Sequence, residues 1–159
     1  MPEWSFPPPA SRRSPALARE GSEVLLLRWD ENVGVAVISH PWGLSLATTA
    51  EVERWRDELF QKLSIVEKER GGRFPIVVCV DDLTIRPSAA EEYGRIVRSY
   101  AERFASGLAR YSQRPNGVGQ IITVAAMKEG YRANLFSSRG DAINQALAEA
   151  NGTKPRLFT

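Results

Sequence analysis

The chain has 159 residues, of which 43% are hydrophobic and 25% charged, with a formal net charge of +2. That length supports one domain with a real core, and so small a charge excludes an argument from net basicity for nucleic acid or an anionic membrane. Cys79 is the only cysteine and no apolar run approaches a membrane span, which excludes a disulfide framework and leads us to expect a cytoplasmic protein without stable membrane insertion.

Residues 1–22 hold Pro2, Pro7, Pro8, Pro9 and Pro15 together with Arg12, Arg13 and Arg19. Such a segment favours extended polyproline conformations and is expected to form a flexible tail. Trp4 and Phe6 stand out within it as aromatic anchors for a groove, on the chain's own domain or on a partner. A single domain is expected over 23–151, followed by a short tail over 152–159.

Val24–Trp29 and Val33–Ile38 flank Asp30-Glu31-Asn32, the pattern of a hairpin with a short polar loop. His40 is the only histidine, so a histidine-based metal cluster is excluded, and a loop hydrogen bond is its expected role. Trp42 is expected to cover one edge of the core. Thr48 with Glu51 forms a capping-box pattern. Behind it Val52, Trp55, Leu59, Leu63 and Val66 recur at helical spacing.

Gly71-Gly72 ends that helix, and Pro75-Ile76-Val77-Val78-Cys79-Val80 follows as an uninterrupted apolar run. A run of this kind reads as a central strand buried on both faces. It ends in Asp81-Asp82, and the loop beyond a central strand is where α/β proteins usually meet ligands or partners. Ser88 and Glu91 form a second capping-box pattern, opening a helix with Tyr93, Ile96, Val97, Tyr100, Ala101, Phe104 and Leu108 on its inner face. Gln120–Ala125, rich in β-branched residues, reads as a fourth strand. Met127–Asn134 reads either as a short helix or as a loop leading into a brief strand at Asn134–Phe136, and a helix capped by Ser138, with Ala142, Ile143, Ala146, Leu147 and Ala150 inside, completes the layout.

This order resembles the STAS domain, the fold of bacterial anti-sigma-factor antagonists and related regulators. Val77-Val78-Cys79-Val80-Asp81-Asp82-Leu83-Thr84 is similar to that family's central strand and its Asp-Leu-Ser-type ending. Leu135-Phe136-Ser137-Ser138-Arg139-Gly140-Asp141-Ala142 resembles its closing strand and helix start. The resemblance implies an α/β fold, a mixed sheet of four or five strands with helices packed against it and an N-terminal β-hairpin. It also implies a regulatory protein-binding module without catalytic activity. In antagonists of the family a serine at the start of the helix after the central strand is phosphorylated, and Ser88 is its counterpart here. The sequence departs from the family where Arg86-Pro87-Ser88-Ala89 replaces an Asp-Ser-Ser-Gly type motif, and the helix between the last two strands reads as shortened or missing.

The expected docking surface comprises Asp82, Thr84, Arg86, Ser88, Arg95 and Arg98, with Trp4 and Phe6 as a second attachment, and a protein as partner. A homo-oligomer is left open. No cofactor or metal is expected, since two adjacent carboxylates without a third ligand hold a cation poorly. Receiver-type phosphoacceptor chemistry fails because its paired acids follow the first strand. An acyl-CoA hydratase-like remnant lacks the glycine-rich oxyanion segment, for which Arg86-Pro87 is a poor substitute. The remaining alternative is a small-ligand or lipid carrier with a pocket beneath Trp42, Trp55, Tyr93 and Tyr100.

Overall fold

The computed structural model of the protein describes residues 23–114 and 117–157. The expected tail over 1–22, with Trp4 and Phe6, lies outside the described residues. At the entrance to the domain the Glu58 carboxylate accepts the Val24 and Leu25 amides at 2.9 and 3.2 Å, and Lys62 pairs with Glu58 at 3.1 Å.

Strands β1 (Leu26–Asp30) and β2 (Val35–Ser39) form the hairpin, antiparallel, with Arg28 opposite Val37. Gly34 makes the return possible, because its φ of +76° is a conformation that side chains with a Cβ rarely adopt. Trp29 is held at the hairpin's edge by the Phe74 ring, edge-on at 6.4 Å, and by the Arg70 guanidinium 4.0 Å above it. A short strand β3 (Leu44–Leu46) leads into helix α1 (Thr49–Arg70). The Thr48 capping box is complete in both directions, and the five stripe residues Val52, Trp55, Leu59, Leu63 and Val66 are all buried.

Strand β4 (Phe74–Cys79) follows, then the short β5 (Leu83–Ile85), helix α2 (Pro87–Phe104) and strand β6 (Ala105–Tyr111). Helix α3 (Val118–Lys128), strand β7 (Leu135–Phe136) and helix α4 (Arg139–Ala150) close the chain. The main sheet has the order β1-β2-β4-β6-β7, antiparallel in its first pair and parallel in the other three. Strands β3 and β5 form a separate parallel pair.

From β2 onward every crossover steps the same way along the sheet. A single crossover handedness then places α1, α2 and α3 on one face. Their buried residues share one core with Ile76 and Val78 of β4 and Leu108 of β6. Among the described residues the other face is covered by α4, whose Ala142 and Ala146 pack on Val35, Val77, Ala109 and Tyr111. Strand β4 is therefore buried on both faces, as its apolar run requires. No helix among the described residues is long and apolar enough to cross a membrane.

Four local expectations are corrected. The fourth strand of the main sheet is Ala105–Tyr111, not Gln120–Ala125, and Leu108 belongs to it instead of to α2. Gln120–Ala125 lies inside α3, so the helix between the last two strands is present; Val118, Ile122, Ala125 and Ala126 make its buried face against α2. Ser88 does not cap α2. Pro87 occupies the first turn with Arg86 as the cap residue, because proline brings a preset φ and loses no amide there. Finally, the segment after Gly152 does not trail off over 152–157: Leu157 is buried, and Arg156 donates to the Ala105 carbonyl at 2.9 Å.

Candidate docking site at the end of the central strand

The chain leaves β4 through Val80, whose amide donates to the Tyr111 carbonyl at 3.0 Å, and reaches the paired carboxylates. The two point to different tasks. Asp81 Oδ1 accepts the Ser112 hydroxyl at 2.9 Å and the amides of Gln113 and Arg114 at 2.9 and 3.1 Å, which ties the end of β4 to the loop after β6. Partial burial pushes its pKa up, but these donors outweigh that effect and hold the carboxyl below its ordinary value. Asp82 instead pairs with Arg114 at 2.9 Å, both side chains partly exposed. Among the described residues no group of three or more His, Cys, Asp or Glu side chains is placed to hold a metal ion.

Beside this junction lies a groove of about 420 Å³ lined by Gly43, Asp81, Asp82, Leu83, Thr84, Ile85, Gly117, Val118 and Ile121. Its walls are β5, the turn after β2 and the first turn of α3. The turn is set by Gly43 at φ +74° and by the Leu44 amide donating to the Asp82 carbonyl at 3.0 Å. Leu83 and Ile85 turn inward from β5, and Thr84 between them is exposed, the alternation of a strand with one wet face.

The expected contact residues fall in two groups. Asp82 and Thr84 line the groove, Arg86 follows at the end of β5, and Ser88 sits in the first turn of α2 with its hydroxyl donating to the Ala47 carbonyl at 3.1 Å. Arg95 and Arg98 lie further along the exposed side of α2 and are engaged within the domain. Arg95 pairs with Glu92 and Glu91, and Arg98 with Glu102 and the Glu129 carbonyl. Gly43, Val118 and Ile121 were not expected at the site. The spacing of Val118, Ile122, Ala125 and Ala126 was the signal that could have placed a helix there.

The aromatic quartet does not form a pocket wall. Trp55 and Tyr93 stack at 5.3 Å in the core and Tyr100 is buried, whereas Trp42 is 53% exposed and covers no core edge. His40 is buried at the end of β2, with Nδ1 3.3 Å from the Cys79 carbonyl. Burial pushes its pKa down to about 4, and the bond to Cys79 offsets this only in part.

A second groove of about 480 Å³ opens on the α4 face of the sheet, beside the part that α4 covers. Leu26, Val37, Ser39, Cys79 and Tyr111 contribute to its lining, with Arg28 and the Arg139–Asp30 ion pair among its charged residues. The Cys79 thiol there has its pKa raised, chiefly by burial, so it is a poor thiolate. Comparison with family models, curated proteins and solved structures finds no match for this chain.

Proposed function

We propose that the protein is a non-catalytic regulatory or scaffold module, similar to STAS domains, that docks a protein partner at the groove beside Asp82 and Thr84. One observation carries this reading. The groove at the end of the central strand is mostly apolar inside, and its carboxylates already serve the fold, Asp81 as a loop clamp and Asp82 as the partner of Arg114. Such a surface suits an apolar side chain of a partner held within a polar rim. The exposed Arg86 and Trp42 extend the rim on either side. Ser88 belongs to the same surface, and a phosphate on it would replace its bond to Ala47 with charge at the start of α2.

A photo-crosslinking residue at Thr84, compared with one at the exposed Ile65 of α1, tests the reading in native cells. A crosslinked protein at Thr84 alone, lost on Arg86→Glu, is the expected result. Equal labelling at both positions would refute it.

A second reading, carriage of a small ligand, is favoured by the uncovered groove lined by Leu26, Val37 and Tyr111. Native mass spectrometry of the purified protein would reveal such a ligand as a fixed added mass.

A further inference from the structure

Arg110 on β6 has its side chain wholly inside the three-helix face of the sheet, with no exposed surface. Nε, Nη1 and Nη2 are all buried, and at none of them do distance and angle make a hydrogen bond. The groups that act on the guanidinium are tyrosines: Tyr93 and Tyr100 from α2, and Tyr131 from the connection to β7. All three are buried. The Tyr131 ring centre stands 5.9 Å from the Arg110 Cζ, at the outer limit of useful cation–π attraction of about 6 Å. The Tyr131 hydroxyl is turned to the Gly94 carbonyl at 3.2 Å.

This arrangement is anomalous in energy. Guanidinium stays protonated in proteins, so burial cannot be relieved by losing the proton. A buried charge costs several kcal/mol unless it is both paired and hydrogen-bonded. Here the side chains that act most strongly on the guanidinium offer hydroxyl dipoles, and Arg110 makes no ion pair among the described residues. The same groups are nevertheless a donor set: a planar fork of N–H groups and the O–H groups of Tyr93 and Tyr100, the chemistry that binds an anion.

We propose that Arg110, with Tyr93, Tyr100 and Tyr131, forms an internal binding site for one small monovalent anion, of the chloride or nitrate class. The charge count sets the valence, since one guanidinium and three neutral phenols balance a single negative charge. The burial of all four residues sets the size, because a large organic anion would have to displace the core between α2 and β6. Tyr131, 6% exposed, is the most accessible of the four and follows Gly130 in the connection after α3. The anion binds the folded chain and has no such site in the unfolded one, so it raises stability by mass action, with the logarithm of its concentration once the site is filled.

The test is the unfolding midpoint of the full chain, titrated with sodium chloride or sodium nitrate against sodium gluconate at equal ionic strength. Chloride and nitrate should raise the midpoint in proportion to the logarithm of concentration above the dissociation constant, and gluconate should not reproduce it. Arg110→Met should abolish the difference while remaining folded without added anion, since an apolar side chain of similar length removes the buried charge. Chloride-35 NMR linewidths give a reading independent of unfolding, and excess broadening should be displaced by nitrate. Tyr100→Phe, which keeps the ring, should weaken chloride binding about fivefold for one lost hydrogen bond. Identical midpoints in chloride and gluconate would overturn the proposal. So would chloride broadening that survives in Arg110→Met or, should that variant not fold, is unchanged in both Tyr100→Phe and Tyr93→Phe.

Discussion

Gly107 of β6 faces Ala146 of α4 so closely that a methyl group at position 107 would lie 2.0 Å from the Ala146 carbonyl oxygen. The obstacle is backbone, so no side-chain rotation relieves it. This contact lets α4 lie flat on the sheet and brings Glu149 into the interior, where its carboxylate accepts the Leu108 amide at 3.1 Å and the Asn134 side-chain amide at 2.6 Å. Gly107→Ala is therefore expected to destabilise the fold by about 3 kcal/mol, the upper range for overpacking. Gly140→Ala, in the first turn of the same helix with nothing within 4 Å, should be neutral or stabilising by up to about 1 kcal/mol. Denaturant midpoints of the two variants check the pair.

His40 makes stability depend on pH above the range of the carboxylates. Its pKa falls from 6.5 in the unfolded chain to about 4 in the folded one. Between those values the unfolded state binds the proton and the folded state does not. Stability is thus fully present above pH 6.5 and is lost as pH falls toward about 4, by about 3 kcal/mol in all. In His40→Leu this loss should disappear, as measured by urea unfolding across that window.

The Asp81 clamp acts at lower pH. Its carboxyl is held below the ordinary value of 3.8, so its contribution is present above that value and is lost as pH falls through the folded pKa. Asp81→Ala should cost about 1–2 kcal/mol at neutral pH, for hydrogen bonds at a partly exposed site. The gap between wild type and variant should close below pH 3.8. A gap that persists at lower pH would mean that the carboxylate is not the clamp.

The two helix starts should respond differently to losing a hydroxyl. Thr48 accepts the Glu51 amide at 3.2 Å within a full capping box, so Thr48→Ala should cost about 1 kcal/mol. Ser88 caps nothing, and its one bond runs to Ala47 on the surface. Ser88→Ala should cost less than about 0.5 kcal/mol, as for an ordinary surface substitution. Thermal midpoints of the two variants decide between these roles.

Much of this architecture is written in local patterns. The apolar run through Ile76, Val77 and Val78 specifies a strand buried on both faces, and the stripe from Val52 to Val66 specifies an amphipathic helix. The Thr48 and Ser138 caps are equally local, since each needs only one side chain and an amide three residues on. The proposed docking surface was half legible: Asp82, Thr84 and Arg86 lie in the segment that follows the strand marked by the run of hydrophobics.

The rest was decided by tertiary packing. Ala105–Tyr111 carries Gly107 and Arg110 and follows α2 without a glycine or proline to announce the change, so only pairing with β4 makes it a strand. Ile121, Ile122, Thr123 and Val124 favour a strand by local preference, yet the segment is helical. Its small residues allow close approach to α2, where a methyl group at Gly94 would already sit 3.1 Å from the Ala125 carbonyl. Propensities of a few tenths of a kcal/mol per residue yield to burial worth roughly 1.5–3 kcal/mol per large apolar side chain. The same reason governs the site: which residues wall the groove, and which tyrosines surround Arg110, depends on how α3 packs beside α2, and that relation is not encoded in any short stretch of chain.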